Sequence, residues 1–578
     1  MDLKQMYSSH PIPQFARKDW ESLCGDWDFR FDWDDSGEDN GFFLGFEKEY
    51  KIVVPFTYES KKSGIGKEDF CPYVWYQKKF TRKPEEKKRA HLIFEGADYF
   101  TKVWVNGQYI GNNSGAYHAF SFDIENALRE GENIIVVKCE DSFSPSILRG
   151  KQRTSGKNSA CFYVQMTGIW KPVWIEYRNR TYIENVSYRT YIRQKELHIH
   201  YEIAGIKEEL LFETEIVLNG AVVKSTKESI TNEYGDITVC LTKKNLPNCF
   251  WGIKGGLYDI IFRLKRGNKI LDEVYSYFGM RELSIRNNAV CLNNSILNQK
   301  LLLYQGIWKD SLYTAPDDDT IERELTAIKE LGYNGIRVHE KIESERFLYH
   351  ADKLGLLVWC EIPSAYEYSA EMKDNYMREM ALIFKQKANH PCIITWVLFN
   401  ESWGINEIGA DKNIQMFADA MYYLAKSIDE TRPVIVNDGW EHTNCDILTV
   451  HNYNQNADQL FEALKELDKN VYLSLNAANK KLFVSGYKYK GQPIIISEFG
   501  GCAFDKDTVD GWGYGSAVKN KEEFAERFKA LYGALKKIKN LAGSCYTQFN
   551  DIQQEKNGLY TKDGVLKADS EKIKEILK

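Results

Sequence analysis

The sequence predicts a multidomain protein in which two β-sandwiches are followed by a (β/α)8 barrel. Its 578 residues exceed what one hydrophobic core normally organises, and 43% of them are hydrophobic. Short alternating, strand-like runs fill the first half of the chain, whereas strand-like and helical runs alternate in the second half. We therefore predict a β-sandwich over residues 1–180, an immunoglobulin-like β-sandwich over 181–281 and a barrel over 282–578.

The first domain is predicted from runs in which apolar and polar residues alternate, the pattern of a strand with one buried face. The clearest runs are Val74–Phe80, Arg89–Phe94, Lys102–Val105 and Ile134–Cys139. A turn dipeptide, Asn106-Gly107, follows the third run. Such spacing is typical of antiparallel strands folded as a sandwich.

The second domain repeats this pattern in a smaller unit. Its runs are Leu197–Tyr201, Phe212–Leu218, Asp236–Leu241 and Tyr258–Leu264. Turn dipeptides occur at Asn219-Gly220 and Gly255-Gly256. The size of the unit and the spacing of its strands predict an immunoglobulin-like sandwich.

The third domain is predicted from eight strand-like runs that alternate, for the most part, with helical ones. The strand-like runs are Lys300–Gln305, Gly335–His339, Leu356–Glu361, Ile393–Glu401, Val434–Asp438, Ile447–Tyr453, Pro493–Glu498 and Gly543–Phe549. Thr320–Leu331 and Glu522–Lys537 are examples of the helical stretches. Eight strands over about 290 residues are typical of a (β/α)8 barrel. A doubly wound sheet is the structural alternative, but no G-x-G-x-x-G sequence opens a helix.

Polar and aromatic side chains collect where the predicted barrel strands end. Glu401 and Glu498 each end an apolar run, at the position where (β/α)8 barrels place their chemistry. Other strand ends carry Arg337, His339, Glu361, Asn400, Trp403, Asp438, Trp440, Glu441, His442, His451, Tyr453, Tyr546 and Gln548. One such residue is often structural, because it caps a helix or pairs with a charge. Their presence at nearly every strand end indicates a site, and two carboxylates in one cleft form a glycosidase pair.

Charge, aromatic content and cysteine pattern indicate which ligands and partners the protein can bind. A formal net charge of -6, with acids and bases interspersed, gives no basic face for nucleic acid or an anionic membrane. The 14 Trp and 35 Tyr offer flat surfaces on which sugars stack, although most belong in the core. The twelve cysteines show no C-x-x-C pair and no histidine at metal-ligand spacing, so we predict reduced thiols, no metal and no cofactor. Because no apolar leader follows Met1 and no run is long enough to span a bilayer, we expect a cytoplasmic protein.

Several motifs resemble those of glycoside hydrolase family 2, the β-galactosidase and β-glucuronidase family, and the resemblance covers essentially the whole chain. Val74–Tyr76 and Val103–Gly107 are similar to the sugar-binding, jelly-roll sandwich of that family, and Thr167–Trp174 is similar to the stretch that closes it. In the barrel, His390-Pro391 with Trp396–Glu401 is similar to the segment that carries the acid/base. Ser497–Gly501 is similar to the segment that carries the nucleophile. The resemblance implies a retaining glycoside hydrolase.

The resemblance also implies roles for individual residues. Glu401 is expected to be the acid/base that protonates the leaving oxygen, and Glu498 the nucleophile that attacks the anomeric carbon. Arg337 is expected to hold Glu498 ionised and Tyr453 to hydrogen-bond it, while Asn400 is expected to reach the hydroxyl next to the anomeric carbon. The further candidate substrate contacts are His339, Glu361, Trp440, Trp512 and Gln548. Each also has a structural alternative, such as a salt bridge, a packed aromatic ring or a loop anchor.

The cleaved sugar is predicted to be neutral. Glucuronidases of the family bind the sugar carboxylate through an Asn-x-Lys pair before a glycine in the last barrel loop. Here Glu555 stands where the Asn belongs and Asn557 where the Lys belongs, so a sugar carboxylate would face an acid. The segment Cys161–Met166 lacks the acidic residue that the best-known galactosidases place in this loop, and Leu301–Asp310 also departs from their pattern.

We therefore predict an exo-acting, retaining hydrolase of β-galactosidase type that removes a terminal neutral sugar from a glycoside or oligosaccharide. A β-galactofuranosidase or α-L-arabinosidase of the same family is the first alternative, followed by a β-glucuronidase or galacturonidase. A non-catalytic carbohydrate-binding protein on the same scaffold is the alternative from a different class. Because many relatives self-associate through their sandwiches, we also expect a homo-oligomer.

Overall fold

A computed structural model describes residues 3–82, 88–241, 249–504 and 511–578. Within them the chain forms two β-sandwiches and a barrel of eight parallel strands, which confirms the predicted fold class. The strands of the first sandwich are β1 (Trp20–Ser22), β2 (Gly25–Phe31), β3 (Tyr50–Val54), β4 (Tyr73–Thr81), β5 (Arg89–Phe94), β6 (Ala97–Asp98), β7 (Phe100–Val105), β8 (Gln108–Ser114), β9 (Phe120–Asp123), β10 (Glu132–Glu140), β11 (Gly168–Ile169) and β12 (Val173–Arg178).

The first sandwich consists mainly of a six-stranded sheet, in the order β3-β2-β4-β10-β7-β8, and a four-stranded sheet, in the order β1-β12-β5-β9. Alternation along each strand decides which side chains are buried. In β2, Trp27, Phe29 and Phe31 enter the core, while the residues between them are more exposed. Outside that core, Trp75 stacks on Trp104 with ring centroids 5.5 Å apart. This arrangement matches the period-two pattern read from the sequence.

The second sandwich contains seven strands in two sheets. They are β13 (Tyr182–Tyr191), β14 (Glu196–Ala204), β15 (Leu210–Leu218), β16 (Ala221–Ile230), β17 (Tyr234–Cys240), β18 (Tyr258–Arg266) and β19 (Lys269–Phe278). The sheets have the orders β13-β14-β17 and β16-β15-β18-β19. The N-terminal helix α1 (Leu3–Ser9) lies against this domain, where the Tyr7 hydroxyl donates to the Ser276 carbonyl at 2.6 Å.

A small sheet precedes the barrel and is formed by β20 (Leu283–Arg286), β21 (Ala289–Leu292) and β22 (Ser295–Ile296). The barrel strands are β23 (Gln299–Tyr304), β24 (Gly335–Val338), β25 (Leu357–Glu361), β26 (Ile393–Asn400), β27 (Val434–Asp438), β28 (Leu448–Asn452), β29 (Ile494–Phe499) and β30 (Leu541–Tyr546).

The order of the barrel strands is β27-β26-β25-β24-β23-β30-β29-β28. The first barrel strand therefore lies between the second and the eighth, as in a barrel and not in a doubly wound sheet. Gly439, directly after β27, connects that strand to β28: its N donates to Thr449 Oγ1 at 2.9 Å, and its carbonyl accepts from His451 N at 3.3 Å. Every residue of β26 and β27 is buried, which explains their continuous apolar runs.

The helices of the barrel begin at side-chain caps. They are α2 (Asp318–Glu330), α3 (Glu345–Leu354), α4 (Ala370–Lys387), α5 (Lys412–Ile428), α6 (Ala457–Leu464), α7 (Lys521–Lys536) and α8 (Ser570–Leu577). Ser369, for example, accepts a hydrogen bond from Met372 N at the start of α4. Gly355 ends α3 with a φ of 67°, and a Cβ there would lie 2.1 Å from the Gly252 carbonyl of the second domain. None of the helices in the described part of the chain has the length and apolar character required to cross a bilayer.

One long segment of the first domain reaches the barrel. Residues 141–167, here called the bridging loop, connect β10 to β11 without a helix or strand of their own. The amides of Arg149 and Gly150 donate to Ser364 O at 3.0 and 3.1 Å. Nε2 of Gln554 donates to two carbonyl oxygens of the loop, each at 2.9 Å. Since Ser364 follows β25 and Gln554 follows β30, the loop lies at the carboxyl ends of the barrel strands.

Candidate active site

Glu401 and Glu498 lie together at the carboxyl ends of β26 and β29. An oxygen of one carboxylate lies within 4.8 Å of an oxygen of the other. His451 stands between them, with Nδ1 2.7 Å from Glu401 Oε1 and Nε2 3.6 Å from Glu498 Oε1. Two carboxylates at this separation can act on the same carbon centre, one as a nucleophile and the other as a proton donor.

Arg337, on β24, is the centre of the charge network. Its side chain is completely buried. Nη1 donates to Glu498 at 2.5 Å, Nε to Glu361 at 2.8 Å, and Nη2 to Asn400 Oδ1 at 2.8 Å. Asp438 Oδ2 lies 3.0 Å from Nη2. The guanidinium therefore offsets several acids that would otherwise repel one another in a low-dielectric interior.

The surroundings of Glu498 favour its ionised form. Burial alone would raise the pKa of Glu498, but the positive charges of His451 and Arg337 outweigh burial and lower that pKa to about 2. The Tyr453 hydroxyl also donates to Glu498 Oε2. The Tyr453 ring is fixed by stacking on Tyr514, with centroids 3.7 Å apart. Glu498 is thus a carboxylate at neutral pH, the form required of a nucleophile.

His451 links the two glutamates, a role that the sequence did not assign. Burial would lower the pKa of His451, yet the negative charge of Glu498 and hydrogen bonds to Asp438 and Glu401 raise it to about 10. Nε2 of His451 lies 2.9 Å from Asp438 Oδ2. Gly439 makes room for the ring, because a Cβ at this position, where φ is 76°, would lie 2.1 Å from it. His451 is therefore an imidazolium held among three carboxylates.

The backbone at Glu401 adopts a conformation that non-glycine residues seldom take. Its φ is 48°, and that of Ser402 is 63°. The neighbouring strand holds this turn: Glu401 N donates to Asp438 O at 3.1 Å, and Ser402 N donates to Asn437 Oδ1 at 2.8 Å. The Glu401 side chain remains 20% exposed, in contrast to the buried Glu498. The turn therefore leaves part of the Glu401 side chain accessible to solvent.

His339 and Glu361 form a layer behind Arg337. Oε1 of Glu361 accepts from Glu340 N at 3.0 Å, and Nδ1 of His339 lies 2.8 Å from the same oxygen without the geometry of a hydrogen bond. Burial and the charges of Lys151 and Arg337 hold the pKa of His339 well below its ordinary value. Burial raises the pKa of Glu361 to about 7, against the attraction of Arg337. Glu361 thus accepts a hydrogen bond from Arg337 and helps to hold it in place. Contact of His339 or Glu361 with a sugar stays a prediction.

Trp440 and Trp512 are partly exposed. Trp440 follows β27 by two residues, and the Lys480 ammonium lies 5.6 Å above its ring. Nε1 of Trp512 donates to Ala160 O in the bridging loop at 2.8 Å, and its ring meets Tyr514 edge-on at 5.2 Å. Trp512 is therefore connected, through Tyr514, to Tyr453, whose hydroxyl donates to Glu498. Their contact with a sugar stays a prediction.

Gln548 and Glu555 are buried in the segment that follows β30, the last barrel strand. Oε1 of Gln548 accepts from Gln305 at 2.8 Å, and its Nε2 donates to a backbone carbonyl at 3.1 Å. Glu555 accepts from the Tyr163 hydroxyl of the bridging loop and from Asn557 Nδ2 at 2.8 Å. Burial raises the pKa of Glu555. Since both ends of the Gln548 amide are engaged within the protein, its binding to substrate stays a prediction.

The bridging loop adds a cation that the sequence analysis missed. The Lys151 ammonium lies 5.0 Å above the ring of Trp403, two residues after Glu401. Phe162 meets the same ring with centroids 5.7 Å apart. Lys151 lies about 250 positions before Glu401 in a segment without periodicity, so no local pattern connects the two. The site is therefore built from the first domain as well as the barrel.

Two clusters among the described residues have the spacing of metal ligands. They are Glu401–His451–Glu498 and Asp352–His390–Cys392. His390 lies 2.6 Å from Asp352 and 2.9 Å from Glu345 through its two ring nitrogens. Although burial opposes it, these acids raise the pKa of His390 to about 9. In the absence of a metal both histidines are therefore protonated near neutral pH, so a metal would have to displace a proton to bind at either cluster.

Comparisons with known proteins agree with the geometry. The model of the glycosyl hydrolases family 2 sugar binding domain matches residues 20–178, and that of the family 2 TIM barrel domain matches residues 289–574. A β-galactosidase of Thermoanaerobacter pseudethanolicus is 25% identical over 529 residues, covering 85% of this chain and 68% of that protein. A β-glucuronidase of Bacteroides fragilis is 23% identical over 448 residues, and the match spans 71% of this chain but only 60% of that protein.

The fold is also shared with solved structures. The β-glucuronidase from Ruminococcus gnavus in complex with D-glucuronic acid superposes with a TM-score of 0.78, covering 97% of this chain and 98% of that chain. Sequence identity across this superposition is 18%, so the likeness establishes the fold.

Proposed function

This chain belongs to glycoside hydrolase family 2, and from that premise we propose that it removes a terminal neutral sugar from a glycoside with retention of anomeric configuration. The observation that carries the proposal is the separation of Glu401 and Glu498, whose nearest ligand oxygens lie within 4.8 Å. Retaining glycosidases hold their two carboxyl groups about 5 Å apart, whereas inverting ones leave room for a water at about 6.5–9.5 Å.

The proposed reaction has two displacements. Glu498 attacks the anomeric carbon while Glu401 donates its proton to the departing oxygen, so that a glycosyl ester forms and the leaving group departs as an alcohol. Glu401, now ionised, then takes a proton from water as the water oxygen attacks the anomeric carbon. The ester bond to Glu498 breaks, and the sugar is released with both glutamates restored.

The neighbours of the pair fit these two roles. Arg337, His451 and Tyr453 stabilise the Glu498 carboxylate before it attacks. Asn400 uses its Oδ1 to accept from Arg337, which leaves the Nδ2 donors for a sugar hydroxyl. A hydrogen bond from that amide to the hydroxyl next to the reacting carbon would strengthen as positive charge develops in the transition state.

A neutral sugar is supported by the last barrel loop. Glu555 is buried and hydrogen-bonded where the family's uronic-acid binders have an amide, so a sugar carboxylate would meet an acid. Within neutral sugars, β-galactosidase activity is the first proposal and β-galactofuranosidase or α-L-arabinosidase activity the alternative.

β-Glucuronidase activity is the second candidate, because the Bacteroides fragilis relative and the superposed Ruminococcus gnavus structure carry that name.

The twelve free cysteines support a reducing, cytoplasmic location.

The function is tested with a panel of 4-nitrophenyl glycosides: β-D-galactopyranoside, β-D-galactofuranoside, α-L-arabinofuranoside and β-D-glucuronide. We expect the wild type to cleave a neutral member and Glu498→Gln to lose at least about a thousandfold in kcat, since it lacks the nucleophile. Cleavage of the glucuronide alone would instead establish the second candidate. No turnover by the wild type, combined with measurable sugar binding, would leave a carbohydrate-binding protein.

Glu401→Ala tests the division of roles between the glutamates. We expect a large loss of kcat with alkyl glycosides, whose leaving groups need a proton, and a much smaller loss with nitrophenyl glycosides. Azide should restore turnover on the activated substrate by attacking the glycosyl-enzyme, and the product should be a glycosyl azide of retained configuration. An equal loss on both substrate classes would contradict the acid/base role.

A further inference from the structure

Lys151 is a buried cation for which the described residues provide no carboxylate within salt-bridge distance. Its side chain is 7% exposed, although lysine is rarely buried unless it is paired. Its ammonium lies 5.0 Å above the Trp403 ring. Across residues 3–82, 88–241, 249–504 and 511–578, no carboxylate forms a salt bridge with it. Burial of an ammonium whose three N–H donors are not all satisfied is unfavourable, so the position of Lys151 needs an explanation beyond packing.

The loop backbone fixes where Lys151 points. Tyr163 N donates to Lys151 O at 2.9 Å, and the Tyr163 hydroxyl donates to Glu555. The preceding Gly150 has a φ of 57°, and a Cβ there would lie 2.2 Å from Glu340 O. The lysine is therefore held from both sides against the barrel loops that surround the two glutamates.

The charges around Lys151 keep it protonated. Burial would lower the pKa of Lys151, but attraction from Cys161, Glu555, Glu498 and Glu340 raises it above the ordinary value. An ammonium among these acids already has its charge compensated at a distance. At close range the Cys161 side chain offers a sulfur, which is a weak acceptor for one N–H donor, and the hydroxyl oxygens of a sugar can supply stronger acceptors for the others.

We propose that Lys151 is a specificity-determining residue that donates hydrogen bonds to hydroxyl oxygens of the sugar bound between Glu401 and Glu498. The inference rests on the proposed function and adds a contact from the first domain. It favours a neutral sugar, because a carboxylate brought to Lys151 would also approach the negative charges of Glu498 and Glu555.

The test compares Lys151→Met with Lys157→Met, a matched change at an exposed lysine of the same bridging loop. On the neutral 4-nitrophenyl glycoside that the wild type cleaves, Lys151→Met is expected to lower kcat/KM about tenfold to a hundredfold, with most of the change in KM. Lys151→Arg, which keeps the charge and its donors, should recover part of the loss. Lys157→Met should stay within about twofold of the wild type.

Thermal melting separates a role in binding from a role in folding. If Lys151→Met melts well below the wild type, Lys151→Gln provides the same comparison with a polar side chain. A KM within about twofold of the wild type in a folded Lys151 variant lacking the charge would overturn the proposal. A loss confined to the glucuronide would also overturn it, because Lys151 would then pair with a sugar carboxylate.

Failure of the proposed function would be recognisable separately. If the wild type cleaves no member of the panel, calorimetric titration with the free monosaccharides still compares binding by the wild type and by Lys151→Met. Equal affinities would reject the role of Lys151, and a loss of about tenfold or more would support it without catalysis.

Discussion

At the residue scale, the site depends on two buried cations that share their partners. Arg337 contacts Glu498, Glu361 and Asp438, and His451 contacts Glu401 and Asp438 while lying 3.6 Å from Glu498. Removing one member of such a network leaves its partners unpaired in a low-dielectric interior, so the effect of a change extends beyond one contact. The protonation of Glu498 is the property most directly governed by the two cations.

Replacing His451 by Gln is expected to raise the pKa of Glu498, because the imidazolium is the strongest of the charges that lower it. Glu498 must be ionised to attack, so the acid-side decline of kcat/KM should move to higher pH by about one unit or more. The measurement is the pH profile of kcat/KM on an aryl glycoside. His442→Gln is the control, because that neutral imidazole bonds the Thr449 carbonyl at 3.0 Å. If the acid-side decline of kcat/KM in His451→Gln stays at the wild-type pH, His451 does not lower the pKa of Glu498.

At the scale of elements, the barrel strands were predictable from the sequence. Val434–Asp438 was predicted and observed with the same bounds, and the first seven predicted strands end within one residue of the observed ones. Strands buried on both faces have continuous apolar runs, which separate them clearly from amphipathic helices. The eighth was predicted as Gly543–Phe549 and is observed at Leu541–Tyr546. The two glutamates followed from the strand ends and the family motifs.

The bridging loop and its contribution to the site were not predictable. Its contacts join positions far apart in the chain, such as Asn158 Nδ2, which donates to Gln553 Oε1 at 2.6 Å. Residues in such a segment show neither helical nor strand periodicity, and their positions depend on how two domains dock. For the same reason the sequence does not reveal the position of Lys151 in the site. The stacking of Tyr514 on Tyr453 was not predictable either, because it is set by tertiary structure.

Gly150→Ala is expected to disturb the loop, because φ is 57° and the added Cβ would lie 2.2 Å from Glu340 O. We expect a destabilisation of about 1–3 kcal/mol and at least about a tenfold loss of kcat/KM as Lys151 shifts. Gly156→Ala is the matched control in the same loop, since no atom lies within 4 Å of its added Cβ. Thermal melting and aryl glycoside kinetics on both variants provide the measurement. Equal behaviour of the two variants would contradict this account.

At the scale of the whole molecule, a buried ion cluster joins the two sandwiches. Arg17 donates through Nη1 to Glu176 on β12 at 2.9 Å and through Nε to Asp272 on β19 at 3.1 Å. All three side chains are buried. Because one guanidinium serves an acid from each sandwich, it fixes the orientation of the two domains relative to each other. The expected homo-oligomer stays a prediction.

Arg17→Met should cost about 3–5 kcal/mol, because it leaves the buried Asp272 without its counter-ion and Glu176 with Arg178 as its remaining arginine partner. The neighbouring Lys18 is 46% exposed and pairs with Glu273 at 3.0 Å, so Lys18→Met should change stability by at most about 1 kcal/mol. Denaturant unfolding followed by tryptophan fluorescence compares the two variants. A midpoint for Arg17→Met that equals that of Lys18→Met would show that the cluster does not hold the sandwiches together.

The bridging loop also affects how such a protein can evolve. A gene fragment that encodes residues 282–578 carries both glutamates but neither Lys151 nor the Tyr163 that bonds Glu555. Recombination that exchanges the first domain therefore replaces the loop that contacts the barrel near Glu401 and Glu498, while the two glutamates stay unchanged. Mutations in the first domain can therefore alter the surroundings of the two glutamates without any change in the barrel sequence.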